Sequence, residues 1–243
     1  PSTVAFDGSS GSLGSISATV FVEETYDIVN NELIITDSRL LSKDEVMAIG
    51  VDNFAPLSEV PMPRAATITR GRLTITFSGV YNTSNGVSCN LTGTAHWDDS
   101  GLHTEGENYC ATGEDFIGVT WSGSFTAKSH SISGKNQLGG ALTIYNSDST
   151  PNAGRVWSFK DSTPTSKYTL YAKDINLNVN ISKNTLTGNG NTAEAVLKYI
   201  HTYSKVKGSI SITPGSETVA GSFSLSNTDR QWSLVCTVTN IPY

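Results

Sequence analysis

The sequence predicts an all-β protein: an antiparallel β-sandwich or a partly closed, jelly-roll-like barrel, with one or two short helices. Three observations predict it. Only 16% of residues are charged against 37% hydrophobic, and Ser, Thr, Asn and Gly fill much of the balance, a composition of short strands and many turns. Apolar and polar residues alternate over short segments, as at Leu177, Val179 and Ile181. A glycine also recurs inside such segments, in Phe77-Ser-Gly79-Val-Tyr81, Leu91-Thr-Gly93-Thr-Ala95, Trp121-Ser-Gly123-Ser-Phe125 and Val219-Ala-Gly221-Ser-Phe223. There a missing Cβ permits a bulge or lets a neighbouring aromatic ring lie over the backbone.

Taken in order, residues 1–15 form an N-terminal arm and a linker. The arm, Thr3, Val4, Ala5 and Phe6, is apolar and β-prone, whereas 7–15 is Gly/Ser-rich and flexible by composition. Residues 16–243 form a single β-domain, with a candidate sub-boundary at 52–64 marked by Pro56, Pro61 and Pro63. Strands are expected at 17–24 and 32–39. Ser42-Lys-Asp-Glu45 is a capping box, and Val46, Met47 and Ile49 give a short helix, 43–49, an apolar face before Gly50. Residues 66–81 read as two strands or one bulged strand, broken at Arg70-Gly71-Arg72.

Further strands are expected at 117–128, 141–146, 155–159, 168–172 and 175–181. Residues 192–204 satisfy two templates. Val196, Leu197, Ile200 and Tyr203 make a helical stripe behind an Asn191/Glu194 cap, while Ala195, Leu197, Tyr199, His201 and Tyr203 make a strand face; helix is the reading adopted. Three strands at 208–213, 218–226 and 231–239 are expected to close the chain as an antiparallel meander.

The net charge of −6 includes no basic cluster, which excludes nucleic acid and anionic membrane surfaces as partners. Apolar runs such as Leu33-Ile34-Ile35 fall far short of the roughly 20 residues of a membrane-spanning helix. The chain opens at Pro1 without Met, from which we expect a processed, exported protein, extracellular or at the cell surface. Two of the three cysteines, Cys89 and Cys110, bracket a polar loop. A disulfide between them would close a ring of about 20 residues and stabilise by roughly 3 kcal/mol. Cys236 reads as a buried free thiol.

The same loop gathers what chemistry the chain offers. His96, Asp98, Asp99, His103, Glu105 and Glu107 are candidate metal ligands, but their spacing is not that of a zinc site. A Ca2+ site from the four acidic residues is chemically easier. The reading adopted is a solvated acidic loop pinned by the disulfide, with no cofactor. Trp97 reads as exposed and as a sugar-stacking candidate, whereas Trp121, Trp157 and Trp232 read as core. A glycosidase would need two facing carboxylates, for which Glu105, Glu107, Glu114 and Asp115 are the candidates, and no Gly-x-Ser-x-Gly elbow is present. The chain is therefore read as a non-enzyme.

The functional expectation is an extracellular structural subunit that polymerises with copies of itself into a surface filament or pilus-like polymer. The arm Thr3–Phe6 would supply a strand to a neighbouring sheet, because such a terminus is ordered only when docked. An alternative is a secreted carbohydrate- or ligand-binding sandwich, Ca2+-dependent through the acidic loop and using Trp97 against glycans. A third reading, a β-pore-forming toxin, rests on the amphipathic segments 72–83 and 168–182.

Overall fold

The computed structural model describes residues 10–29, 32–51, 67–84, 86–98, 113–123, 125–164, 169–184, 190–203 and 208–243. In chain order its elements are β1 (Ser10–Val29), β2 (Glu32–Leu40), α1 (Lys43–Ile49), β3 (Thr67–Asn82), β4 (Val87–Trp97), β5 (Glu114–Trp121), β6 (Thr126–Asn136) and β7 (Ile144–Thr150). There follow β8 (Gly154–Lys160), β9 (Ser162–Pro164), β10 (Thr169–Lys183), β11 (Thr192–Thr202), β12 (Ser209–Thr213), β13 (Ser222–Ser226) and β14 (Gln231–Pro242). Every described strand pairing is antiparallel.

Two sheets make the sandwich. The first runs β2-β1-β3-β4-β10-β6, with β9 added to β10, and the second runs β14-β11-β5-β8-β7. The sheets do not close into a barrel. The period of two in each strand turns Leu73, Ile75 and Phe77 of β3 and Leu177, Val179 and Ile181 of β10 inward, as the alternation predicts. They meet Ile117, Val119 and Trp121 of β5 and Ala195, Leu197 and Tyr199 of β11 in one buried cluster. Trp121 and Trp157 are core, as expected, and Trp232 packs against it half-buried.

The β12–β13 hairpin adds a third layer. It buries Phe223 and Leu225 against Phe116, Val156 and Ile200 on the outer face of the second sheet. This layer explains why the helix read at 192–204 is in fact strand β11. Ala193, Ala195, Leu197 and Tyr199 face the main core while Ile200 faces the hairpin, so apolar residues of both parities mimic a helical stripe. Glu194, expected to cap a helix, instead accepts the Ala220 amide at 2.8 Å. The terminal meander is also corrected: β14 pairs with β11 and leaves β12 and β13 to each other.

Other expected boundaries shift for identifiable reasons. The Gly/Ser stretch is not linker beyond residue 9, since β1 starts at Ser10 and pairs Ser10, Gly11 and Ser12 with Asn82, Tyr81 and Val80. The Tyr81 ring lies over Gly11, where a Cβ would come within 2.5 Å of its hydroxyl. β3 is one strand, in unbroken register with β4, and the bulge falls in its partner β1 between Ser12 and Ser15. Segment 117–128 splits into β5 and β6, whereas 168–172 and 175–181 join as β10. At Gly79 and Gly93 the missing Cβ makes room for leucines rather than rings: Leu13 Cδ1 would be 2.7 Å from the first and Leu197 Cδ1 2.8 Å from the second. The candidate sub-boundary at 52–64 lies outside the described residues.

Helix α1 forms as its capping box predicts. Ser42 Oγ accepts the Glu45 amide and the Glu45 carboxylate accepts the Ser42 amide at 2.8 Å. Glu45 also receives Arg39 Nη1 at 2.6 Å, and these bonds, the Arg39 contact first, lower its pKa from 4.5 to about 2. A carboxylate depressed in the fold contributes stability that is present above pH 4.5 and is lost as pH falls through about 2. Amide-exchange protection at Val46 and Gly50, the first and last helical bonds described, is expected to drop across that window in the parent. In a Glu45→Gln chain it should be lower at neutral pH and flat with acid.

Candidate functional site

One end of the sandwich turns charge inward. In β1 the successive carboxylates Glu23 and Glu24 point to opposite sides, as alternation requires. Glu23 lies between Arg39 Nη2 at 2.8 Å and Arg70 Nη2 at 2.9 Å, on the neighbouring strands. Glu24 is 1% exposed and enters the interior. Three other elements continue their core-facing parity into polar residues at the same end. Asp115 precedes Ile117 and Val119, Asp161 follows Trp157 and Phe159, and His201 follows Leu197 and Tyr199. Asp115 is 0% exposed, His201 2% and Asp161 3%.

His201 is the centre of the cluster. Its Nε2 lies 2.9 Å from Glu24 Oε1, and its Nδ1 lies 3.0 Å from Asp115 Oδ2 and 3.8 Å from Asp161 Oδ2. Asp115 is held by further donors: Tyr199 Oη donates to Oδ2 at 2.5 Å and the Thr202 amide to Oδ1 at 3.0 Å. Trp97 Nε1 in turn donates to Tyr199 Oη at 3.2 Å. The His201 ring is flanked by Trp97 and Trp232, with centroids 5.9 and 4.9 Å away, and Trp232 Nε1 donates to Ser38 Oγ at 3.0 Å. Glu24 comes from the first sheet, Asp115 and His201 from the second, and Asp161 from the bend between β8 and β9, so the cluster ties the two layers.

The electrostatics are lopsided. Three carboxylates and one imidazole share a buried space, where charge is strongly penalised. Burial opposes the charged form of His201, but Asp115 and Glu24 outweigh it and raise its pKa well above the ordinary value. Burial first, then the Asp115 charge, raises that of Asp161, which favours its protonated form. Among the described residues neither Asp161 oxygen has a hydrogen-bond partner of good geometry, the adjacent Ser162 amide being the one backbone donor that acts on it. Chemically the group can hold protons or a small cation.

The residues singled out in the sequence fall elsewhere. Trp97 is not exposed: it is 3% accessible and part of the core, because the inward parity of Leu91 and Ala95 carries on to it, so it offers no sugar platform. His96 and Asp98 lie on the opposite parity, half-buried at the outer face. His96 Nδ1 is 2.6 Å from Asp174 Oδ1 and Nε2 is 3.3 Å from Asp98 Oδ1, while Arg72 Nε bonds Asp98. Asp99, His103, Glu105, Glu107 and Cys110 lie outside the described residues, as do Thr3, Val4, Ala5 and Phe6 of the arm. Cys89 is a free thiol, 0% exposed and facing the core, with its pKa pushed up to about 12 by burial. Cys236 is likewise buried and free, as expected. Asp115, considered in the sequence only for glycosidase chemistry, anchors the inward cluster, and Glu24, Asp161 and His201 were not singled out for any chemistry. Their one signal in the sequence is a charged residue continuing an apolar strand face.

Fold and site together define an antiparallel β-sandwich with a buried acidic–histidine cluster, a class set by architecture and not by a reaction. No family model matches the sequence, and no curated protein matches it. One similar solved structure is described as "pH-induced modulation of Streptococcus parasanguinis adhesion by Fap1 fimbriae". Its chain is 11% identical, the match covers 93% of this chain and 96% of that one, and the TM-score is 0.31. A likeness that shallow assigns neither fold nor activity.

Proposed function

We propose that this chain is an extracellular structural subunit that joins copies of itself by strand addition. The observation that carries the reading is an open edge on a long strand. β2 pairs with β1 only from Val22 to Val29, so among the described residues the outer edge of β1 over 10–20 has no strand partner. Such an edge presents a row of backbone donors and acceptors to any extended segment that reaches it. An apolar side chain lies on it: Ile16 is 43% exposed. The arm Thr3–Phe6 of a second copy has the matching character, apolar and β-prone, and immediately precedes the segment that enters β1 at Ser10. No helix among the described residues is long and apolar enough to cross a membrane. The amphipathic segments 72–83 and 168–182 fall on β3 and β10, each paired on both sides within the first sheet.

The test compares the full chain with one lacking residues 1–9, by sedimentation and negative-stain imaging. The full chain is expected to form concentration-dependent polymers, and the truncated chain to remain monomeric with unchanged circular dichroism. A synthetic peptide of residues 1–9 should then protect the 11–20 amides of the truncated chain from exchange. A full chain that stays monomeric at every concentration removes the basis of this reading.

A further inference from the structure

We propose that Asp115, Asp161 and His201 bind a borderline divalent metal ion, Zn2+ or Mn2+, with Glu24 holding the histidine in its ligating tautomer. One carboxylate oxygen from each aspartate and a ring nitrogen of His201 already lie within 4.8 Å of one another. Two ligand atoms ~2.1 Å from one ion, 90–110° apart, are roughly 3.0–3.4 Å from each other. The separations from His201 Nδ1 are 3.0 Å to Asp115 and 3.8 Å to Asp161, so small side-chain movements complete the set.

The observation that separates this cluster from an ordinary buried ion pair is Asp161. Among the described residues neither of its oxygens has a hydrogen-bond partner of good geometry, the adjacent Ser162 amide being the one backbone donor that acts on it, although the residue is 3% exposed, and a buried carboxylate so poorly met is costly unless a cation meets it. The surroundings are those of a metal's outer shell. Glu24 Oε1, 2.9 Å from Nε2, holds a proton on that nitrogen, so the position a metal would take is at Nδ1, which faces the aspartates and whose proton the ion would displace. The Tyr199 hydroxyl and the Thr202 amide hold Asp115 in orientation. An imidazole among carboxylates suits Zn2+ or Mn2+, whereas Ca2+ takes six to eight oxygens. Because the ligands are enclosed, the ion's role is structural: it bridges β5, β11 and the end of β8, and reaches the first sheet through Glu24. On binding, Nδ1 must be free of its proton, which is released. This assignment stands independently of strand addition.

The experiment refolds the full chain with ZnCl2, with MnCl2 or with EDTA, dialyses it, and measures bound metal by mass spectrometry and unfolding by calorimetry. About one ion per chain is expected, with a Tm higher than in EDTA by about 5–10 °C at a hundredfold excess over Kd. Asp161→Asn, nearly isosteric, should retain no ion and melt at one temperature in all three conditions. X-ray absorption of the loaded parent should show one imidazole and carboxylate oxygens, a readout that holds even if the variant fails to fold. The proposal is overturned if the parent retains no metal and melts alike in all three conditions, if Asp161→Asn binds as the parent does, or if the absorption shell contains sulfur or oxygen alone.

Discussion

An Asp115→Ala chain is expected to melt about 6–20 °C below the parent, the largest loss for any single charged side chain among the described residues. Breaking a buried charge pair by removing one partner costs about 3–5 kcal/mol, and each kcal/mol moves the Tm of a chain this size by about 2–4 °C. The magnitude follows from what Asp115 holds. Its two oxygens receive the Tyr199 hydroxyl, the Thr202 amide and the His201 ring, all of them buried. Alanine offers none of the three an acceptor, and each buried group left unmet carries its own desolvation cost. Asp115→Asn keeps an acceptor oxygen and loses the charge opposite His201, so it should fall between the two. Calorimetry of the three chains at neutral pH checks the order. A shift under about 2 °C for the alanine variant would mean that the cluster contributes less than ~1 kcal/mol and does not hold this end of the sandwich together.

Trp121→Ala should weaken the opposite kind of contact by a similar amount, about 3–5 kcal/mol, as lost apolar burial plus the cavity left behind. Trp121 is 1% exposed, opposes Ala195 across the β5–β11 pair and lies at the end of β5 where the chain crosses to the first sheet. Its indole N–H donates to Phe125 O at 2.8 Å, and its own amide donates to Ala153 O at 3.0 Å. The ring therefore fills the core and pins the crossover. Trp121→Phe separates the two roles, retaining much of the ring volume but leaving the Phe125 carbonyl without its donor, and is expected to lose about 1–3 kcal/mol. Denaturant unfolding midpoints rank the three chains. An alanine variant within ~1 kcal/mol of the parent would show that the core collapses around the vacancy.

What could be read before folding is particular. The strand period of β10 was visible because only one of its faces is buried: Leu177, Val179 and Ile181 meet the core, while Asn176 is exposed. The helix at Lys43–Ile49 was legible because its cap is local, with donor and acceptor three residues apart. β11 was not, since a hairpin from 209–226 covers its second face and supplies apolar neighbours that no window on 192–204 contains. Trp97 beside Asp98 looked exposed for the same reason in reverse. Adjacent residues of a strand face opposite ways, and a polar neighbour says nothing about the side to which the tryptophan turns.

The candidate site belongs almost wholly to the tertiary structure. By itself the sequence determined that the chain is built of antiparallel strands and where one helix is capped; it did not mark Glu24 or His201, the second of which lay in a segment read as helix. Only the packing of two sheets decided that Glu24 and His201, 177 positions apart, come within 2.9 Å, with Asp115 and Asp161 beside them. The physical reason is that local propensity depends on near neighbours. The partner of a buried charge is selected by which strands the sheets place side by side, a choice made across the whole chain at once.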